Sequence, residues 1–408
     1  MWSFLGPGID PEEMLLAVKT IHGCPDGGGW DVVLVAGKTW AVVVGVIAVV
    51  VVFLLVITLI LDSLPEDEVE TPLRSDVIPD DAVKGTPATD FWPPILNSTE
   101  WEDPIPMPGP VNTAGAEDSP FMLPDGKTFF FFFTPDVTVP VQEQLLDKVT
   151  GIWWTRNVNG TWTEPEKIIL CDDVSLDGAE FVAGDSMWFA SVRAGNLGEI
   201  DVFFADYEDE EWTNVRNAGE LLNVEYDIGE FTLSPDGETL YFHSGSWDEG
   251  ESMDIFSSQW TGSTWGAPVL VPNINTPTAN EGFPFITPDG QELWLTSTSR
   301  IGQPGPALFR SLWTGTGWGA PVEIASSFAG ECTLDEAGNL YFVHHYYTEG
   351  GTMIEADIYV AYKKTVRSLT EDDVGAALHS ELDLSMGPIS LAAATVVLCT
   401  LARRDLKA

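Results

Sequence analysis

Tryptophans stand at Trp101, Trp162, Trp212, Trp265 and Trp318, and Asp-centred turns follow the first four at Asp125, Asp185, Asp236 and Asp289. Self-similarity at a fixed period of about 50 residues marks a repeat architecture. Each interval carries aromatic, alternating stretches: TLYFHS from Thr239, ELWLTS from Glu292 and NLYFVHH from Asn339. That is strand chemistry, so the unit is predicted to be a small antiparallel sheet. The phase of the two markers adds a constraint. After Trp318 come one more turn, Leu334-Asp335-Glu336-Ala337-Gly338, and the aromatic Tyr341-Phe342, but no further tryptophan-bearing segment. Trp101, conversely, has no turn before it. Sheets repeated around an axis leave only short, protected edges. The economical arrangement is an all-β, five-bladed β-propeller of four-stranded antiparallel blades over 97–365, closed by an N-terminal strand around Trp101.

The turns have a physical reading. Pro124-Asp125-Gly126, Pro235-Asp236-Gly237 and Pro288-Asp289-Gly290 combine a preset φ, a side chain that bonds its own backbone and a residue tolerant of positive φ. Asn159-Gly160 marks the next hairpin. Blade 2 (Gly184-Asp185-Ser186) and blade 5 lack the proline, so their hairpins are expected to differ in length. The tryptophans are expected to pack blade against blade. With Asp254-Ile255-Phe256 and Asp357-Ile358-Tyr359 as the following strand, the segment from Leu233 to Val322 resembles the WD40-like propeller repeat of TolB and many envelope proteins. The resemblance covers 97–365 and implies the fold. It says almost nothing of function, because propellers host binding and many chemistries alike.

Outside the repeats, Thr39 to Leu61 holds no charged residue and is long enough at helical rise to cross a bilayer, so 39–61 is expected to be a transmembrane helix. Lys38 precedes it and Asp62, Glu66, Asp67 and Glu68 follow, which places residues 1–38 in the cytoplasm and the propeller outside. Residues 62–96, rich in Pro, Asp, Glu and Thr, read as an acidic spacer lifting the ring off the membrane. At the other end, 366–386 reads as an acidic linker or helix and 387–408 as a hydrophobic tail with a basic end. The tail is short for a span. A second membrane helix, a helix packed on the propeller and a sorting tail all remain open, with membrane association favoured.

The chain has 408 residues, with 63 Asp and Glu against 18 Lys and Arg, a formal charge of -45. Nucleic-acid affinity rests on clustered Lys and Arg, so a nucleic-acid partner is excluded. A carboxylate begins each innermost strand: Glu117 and Asp118, Glu180, Glu230, Glu281, and Glu331. If these converged at the axial mouth, such hard oxygens would suit calcium. The plainer and favoured reading is that an acidic protein spreads carboxylates everywhere, and the uneven offsets of Glu117 and Glu281 speak against five inward acids. Axial acids in five blades also resemble the arabinanase-type glycosidases. That resemblance implies Asp118, Glu180 and Glu230 as catalytic candidates, a pair of which would need a defined separation across a sugar-sized cleft. Other chemistry is poorly represented. His344 and His345 are strand neighbours pointing to opposite faces, and His243 reads as packing. Cys171 and Cys332, on blades that adjoin in a ring, would allow a disulfide. Asn97 and Asn159 lie in glycosylation sequons. The expectation is a membrane-anchored module binding a protein or glycan partner, with glycoside hydrolysis as the alternative.

Overall fold

The computed structural model describes residues 72–365, apart from 172–173, 224–227 and 246–251. The expected transmembrane helix, the cytoplasmic segment and the C-terminal tail lie outside the described residues. Among the described residues no helix is long and apolar enough to cross a membrane.

Five antiparallel sheets are the blades. Blade 1 runs Ala116–Met122, Thr128–Thr134 and Gly151–Val158, with an outer edge split between Thr161–Trp162 and Glu166–Lys167. Blade 2 comprises Ser175–Ala183, Ser186–Arg193, Asp201–Glu208 and Glu211–Asn217; blade 3 comprises Ile228–Leu233, Thr239–Ser244, Asp254–Gln259 and Val269–Leu270. Blade 4 is Glu281–Ile286, Glu292–Thr298, Pro306–Leu312 and Val322–Ser326; blade 5 is Ala329–Leu334, Leu340–Tyr347 and Met353–Ala361. Each innermost strand touches that of the next blade, and blade 5 touches blade 1 in the same way. The circle is closed.

The chain's own beginning completes blade 5. Ile105–Pro106 pairs antiparallel with Met353–Ala361, and Trp101 bridges to Lys363 on the same edge. Trp101 is 1% exposed and donates its indole N–H to the Gly338 carbonyl at 2.8 Å. It meets Trp294 on the second strand of blade 4 edge-on at 5.7 Å. Three of the other four repeat the contact one blade back: Trp212 meets Phe130, Trp265 meets Trp188, and Trp318 meets Tyr241, at 6.4, 5.8 and 6.2 Å, while Trp162 meets Phe129 of its own blade at 5.9 Å. Trp101 is therefore the tryptophan of blade 5, and such edge-to-face pairs weld neighbouring blades.

The acidic-spacer expectation for 62–96 does not hold from Pro72 onward, where the segment packs on the propeller as an arm. Arg74, in the short helix Arg74–Val77, is buried in blade 1. Its guanidinium lies 5.1–5.7 Å from the rings of Phe131, Phe133 and Trp153, bonds Glu117 at 3.1 Å and donates to the Val111 carbonyl at 2.9 Å. Lys84 pairs with Glu355 and Asp357 on blade 5, and Asp90 bonds His344 Nε2 at 2.9 Å. Ile95–Leu96 then adds a fifth strand to blade 4. The arm thus straps blades 1, 5 and 4 across the closure seam. Composition misleads here because a single buried cation is lost in an average dominated by Pro, Asp and Glu.

The Asn159-Gly160 hairpin turns with positive φ at both residues, 53° and 86°, the geometry that favours this dipeptide. The disulfide expectation is not met: Cys171 and Cys332 are free thiols. Cys332 lies on the innermost strand beside the axis, whereas Cys171 lies in the segment linking blade 1 to blade 2, so adjacency of blades does not bring the sulfurs together.

Candidate functional site: a carboxyl cluster on the axis

Every innermost strand carries a register shift opposite the second strand of its blade, at 118–121, 178–181, 228–231, 282–285 and 330–332. Ser119, Ala179, Phe283 and Glu331 take positive φ of 40–54° within these bulges. A bulge re-aims the side chain it carries. Here the bulges turn Ser119, Glu180, Glu230, Phe283 and Glu331 toward one axial cavity of about 30 Å³.

Ser119 is the hub. Its hydroxyl lies 3.0 Å from Glu230 Oε1 and 2.8 Å from Glu331 Oε2, and its backbone N–H donates to Asp118 at 2.9 Å. Three blades meet through one hydroxyl. Burial pushes the Glu230 and Glu331 carboxyls upward, the Asp118 charge adds to this in both, and Glu230 further raises Glu331. Opposing this at Glu230 are hydrogen bonds from Ser119 and Glu331. Glu180 differs: it is 6% exposed and both carboxyl oxygens are buried without a partner. Burial drives its carboxyl well above the usual range, which favours the protonated form.

A buried histidine braces the cluster. His243 Nδ1 accepts the backbone N–H groups of Glu230 and Phe283, at 3.3 and 3.1 Å, tying the bulges of blades 3 and 4 together. Accepting at Nδ1 requires the neutral ring, and burial lowers its pKa to about 3. In blade 4, Thr296 plays the matching part by accepting the Glu331 N–H at 2.9 Å. Burial likewise lowers His345 to about 4, with the Asp118 charge opposing.

The other two sequence-predicted acids lie elsewhere. Glu117 faces Arg74 and Thr113; burial raises it to about 8, outweighing the opposing Arg74 charge. Glu281 accepts from Thr276 at 2.8–3.0 Å and approaches Arg300 at 3.4 Å. The axial set is thus Asp118, Glu180, Glu230 and Glu331, with Glu117 and Glu281 removed by register. Among the described residues no group of three His, Cys, Asp or Glu is placed to hold a metal ion. Sequence reasoning missed Ser119 and Thr296 and read His243 as packing. His243 and Thr296 stand at matching positions opposite the bulges of blades 3 and 4, but Phe132, Ala190 and Val343 hold that place in the other blades, so no period marks it.

The dimensions limit the chemistry. A cavity of about 30 Å³ holds one or two waters. Sites for organic ligands run to roughly 300–1,000 Å³.

No protein-family model matches the chain, and a search of curated proteins finds no match. Among solved structures the chain is similar to TolB from Acinetobacter baumannii, at 15% identity and TM-score 0.35 over 62% of this chain. It spans 56% of that protein's length. A thermostable family-43 glycoside hydrolase shares 12% identity at TM-score 0.42, covering 63% of this chain and 95% of that one. The endo-arabinase from Bacteroides thetaiotaomicron VPI-5482 shares 15% at TM-score 0.39, covering 62% and 95%. Function is argued from the site itself.

Proposed function

We propose that this chain is a membrane-anchored propeller that works as a binding module for a protein or glycan partner outside the cytoplasm, with the anchor at Thr39 to Leu61. The observation that carries the reading is the volume of the axial cavity. Glycoside hydrolysis needs a general acid and a second carboxylate flanking a bound sugar. Glu180, Glu230 and Glu331 have their pKa values raised by burial, as a general acid needs, yet they line a cavity of about 30 Å³, with no room for a pyranose or furanose between them. The hydrogen bonds of Glu230 and Glu331 run to Ser119, which suits a brace joining blades 1, 3 and 5 at one point. The acidic surface favours solubility and repels anionic partners.

Release of reducing ends from arabinan, galactomannan and dextran tests this. The expected result is no release above background by the full chain in detergent. Release that Glu230→Gln abolishes, in a protein with unchanged melting, would establish the hydrolase instead.

A further inference from the structure

We infer that the outer hairpins of blades 3 and 4 are paired stacking platforms for an uncharged polysaccharide, an inference that rests on the binding-module reading. Gln259 to Pro268 reads QWTGSTWGAP and Leu312 to Pro321 reads LWTGTGWGAP. In a chain with a formal charge of -45, neither segment carries a charge. The corresponding hairpin of blade 2 runs Asp206 to Glu211 with five carboxylates around Tyr207.

The two hairpins have one geometry. Trp260 bridges to Trp265 and Trp313 bridges to Trp318. Thr261 and Thr314 each close the turn with N–H and hydroxyl, at 2.9 and 2.7 Å, onto the carbonyls of Thr264 and Gly317. The inner tryptophans, Trp265 and Trp318, are buried and weld the blades. The outer ones have no blade to weld. Trp260 is 42% exposed and Trp313 is 40% exposed, each held by its inner neighbour, ring centroids 5.3 and 5.2 Å apart at 63° and 72°. The exposed side chains around them include the hydroxyls of Thr261, Ser263 and Thr264 in one hairpin and of Thr314 and Thr316 in the other, beside the uncharged Gln259 and Leu312.

An indole fixed by a second indole and left open to water loses little entropy on binding, and its apolar face suits the C–H face of a sugar ring. Flanking hydroxyls supply donors and acceptors for sugar hydroxyls without favouring a charge. The absence of cations from both hairpins and the protein's negative field disfavour anionic chains. Two platforms on successive blades suit a polymer, because the second contact gains from effective concentration.

The test is affinity electrophoresis of the full chain in detergent through gels containing dextran, galactomannan, arabinan or the anionic alginate. At least one neutral polymer is expected to retard the wild type, and Trp260→Ala with Trp313→Ala to weaken retardation about tenfold, the scale of one lost aromatic contact. Mapping of N-bromosuccinimide oxidation by mass spectrometry needs no variant: Trp260 and Trp313 should oxidise first and be protected by the retarding polymer. No retardation by any neutral polymer, retardation by alginate alone, retention of binding by the folded double variant, or absence of protection at both tryptophans would overturn the inference. Because reducing ends are read on the same samples, loss of this site and a hydrolytic activity are separate outcomes.

Discussion

Gly229 leaves no room for a side chain: a Cβ there would stand 1.9 Å from His243 Nε2. The imidazole cannot retreat, because its Nδ1 holds the N–H groups of two blades. Gly229→Ala should therefore destabilise by about 1–3 kcal/mol through overpacking, read as a fall in the denaturant midpoint. Glu180 gives the opposite case. Its native carboxyl stays protonated above the ordinary value of 4.5, so between pH 4.5 and the native pKa the folded state holds more protons than the unfolded one. Stability then falls as pH rises. Glu117 and Glu355, both raised by burial to about 8, act in the same direction between pH 4.5 and 8. Melting temperature should decline across that window, and Glu180→Gln, neutral at every pH, should flatten the decline. An unchanged slope in the variant would show that Glu180 is ionised in the native axis. Below pH 4.5 the sign reverses for Glu100, held near 2 chiefly by its hydrogen bond from Arg310; its contribution is lost as pH falls toward 2.

The arm shows what an element adds beyond its residues. Arg74 lies in a cage of three aromatic rings and a buried carboxylate, and removing one partner of a buried pair costs about 3–5 kcal/mol. Arg74→Ala should lower chemical stability by that order, and Arg74→Lys should not restore it, since an ammonium lacks the planar fork that stacks and bonds at once. Near-wild-type unfolding of Arg74→Ala would mean that the arm rests on the ring without holding it. Legibility in the sequence follows the same division. The blades were readable because Trp101, Trp212, Trp265 and Trp318 do one packing job at one spacing, which Trp162 shares although its ring meets Phe129 of its own blade. The axial set was readable only in part. One residue of register carries a strand side chain to the opposite face, and the bulges at Ser119 and Glu331 shift that register by an amount no period reveals. The uneven offsets of Glu117 and Glu281 from their turns set them apart from Glu230, but do not say where each side chain goes. Arg74 was unreadable because its meaning lies in Phe131, Phe133 and Trp153, far along the chain.

At the scale of the whole molecule, closure is the controlling feature. An open stack of blades would unfold from its ends, as repeat arrays with nearest-neighbour coupling do. This ring has no free end, because Trp101 and Ile105–Pro106 seat the start of the chain on blade 5 while the arm crosses the same seam. Opening the seam should expose the axial carboxyls to water, and every blade relies on that axis. Closure and the axial brace are then one cooperative unit. Trp101→Ala should cost about 3–5 kcal/mol, as for other large buried aromatics, spread over all five blades. The most direct measurement is thermal melting of the chain lacking residues 97–110, followed by near-ultraviolet circular dichroism, which reports the packed tryptophans of every blade. The account predicts loss of the entire aromatic signal at a temperature far below that of the intact chain, in one transition. A signal that keeps four-fifths of its amplitude and melts near the original temperature would contradict it.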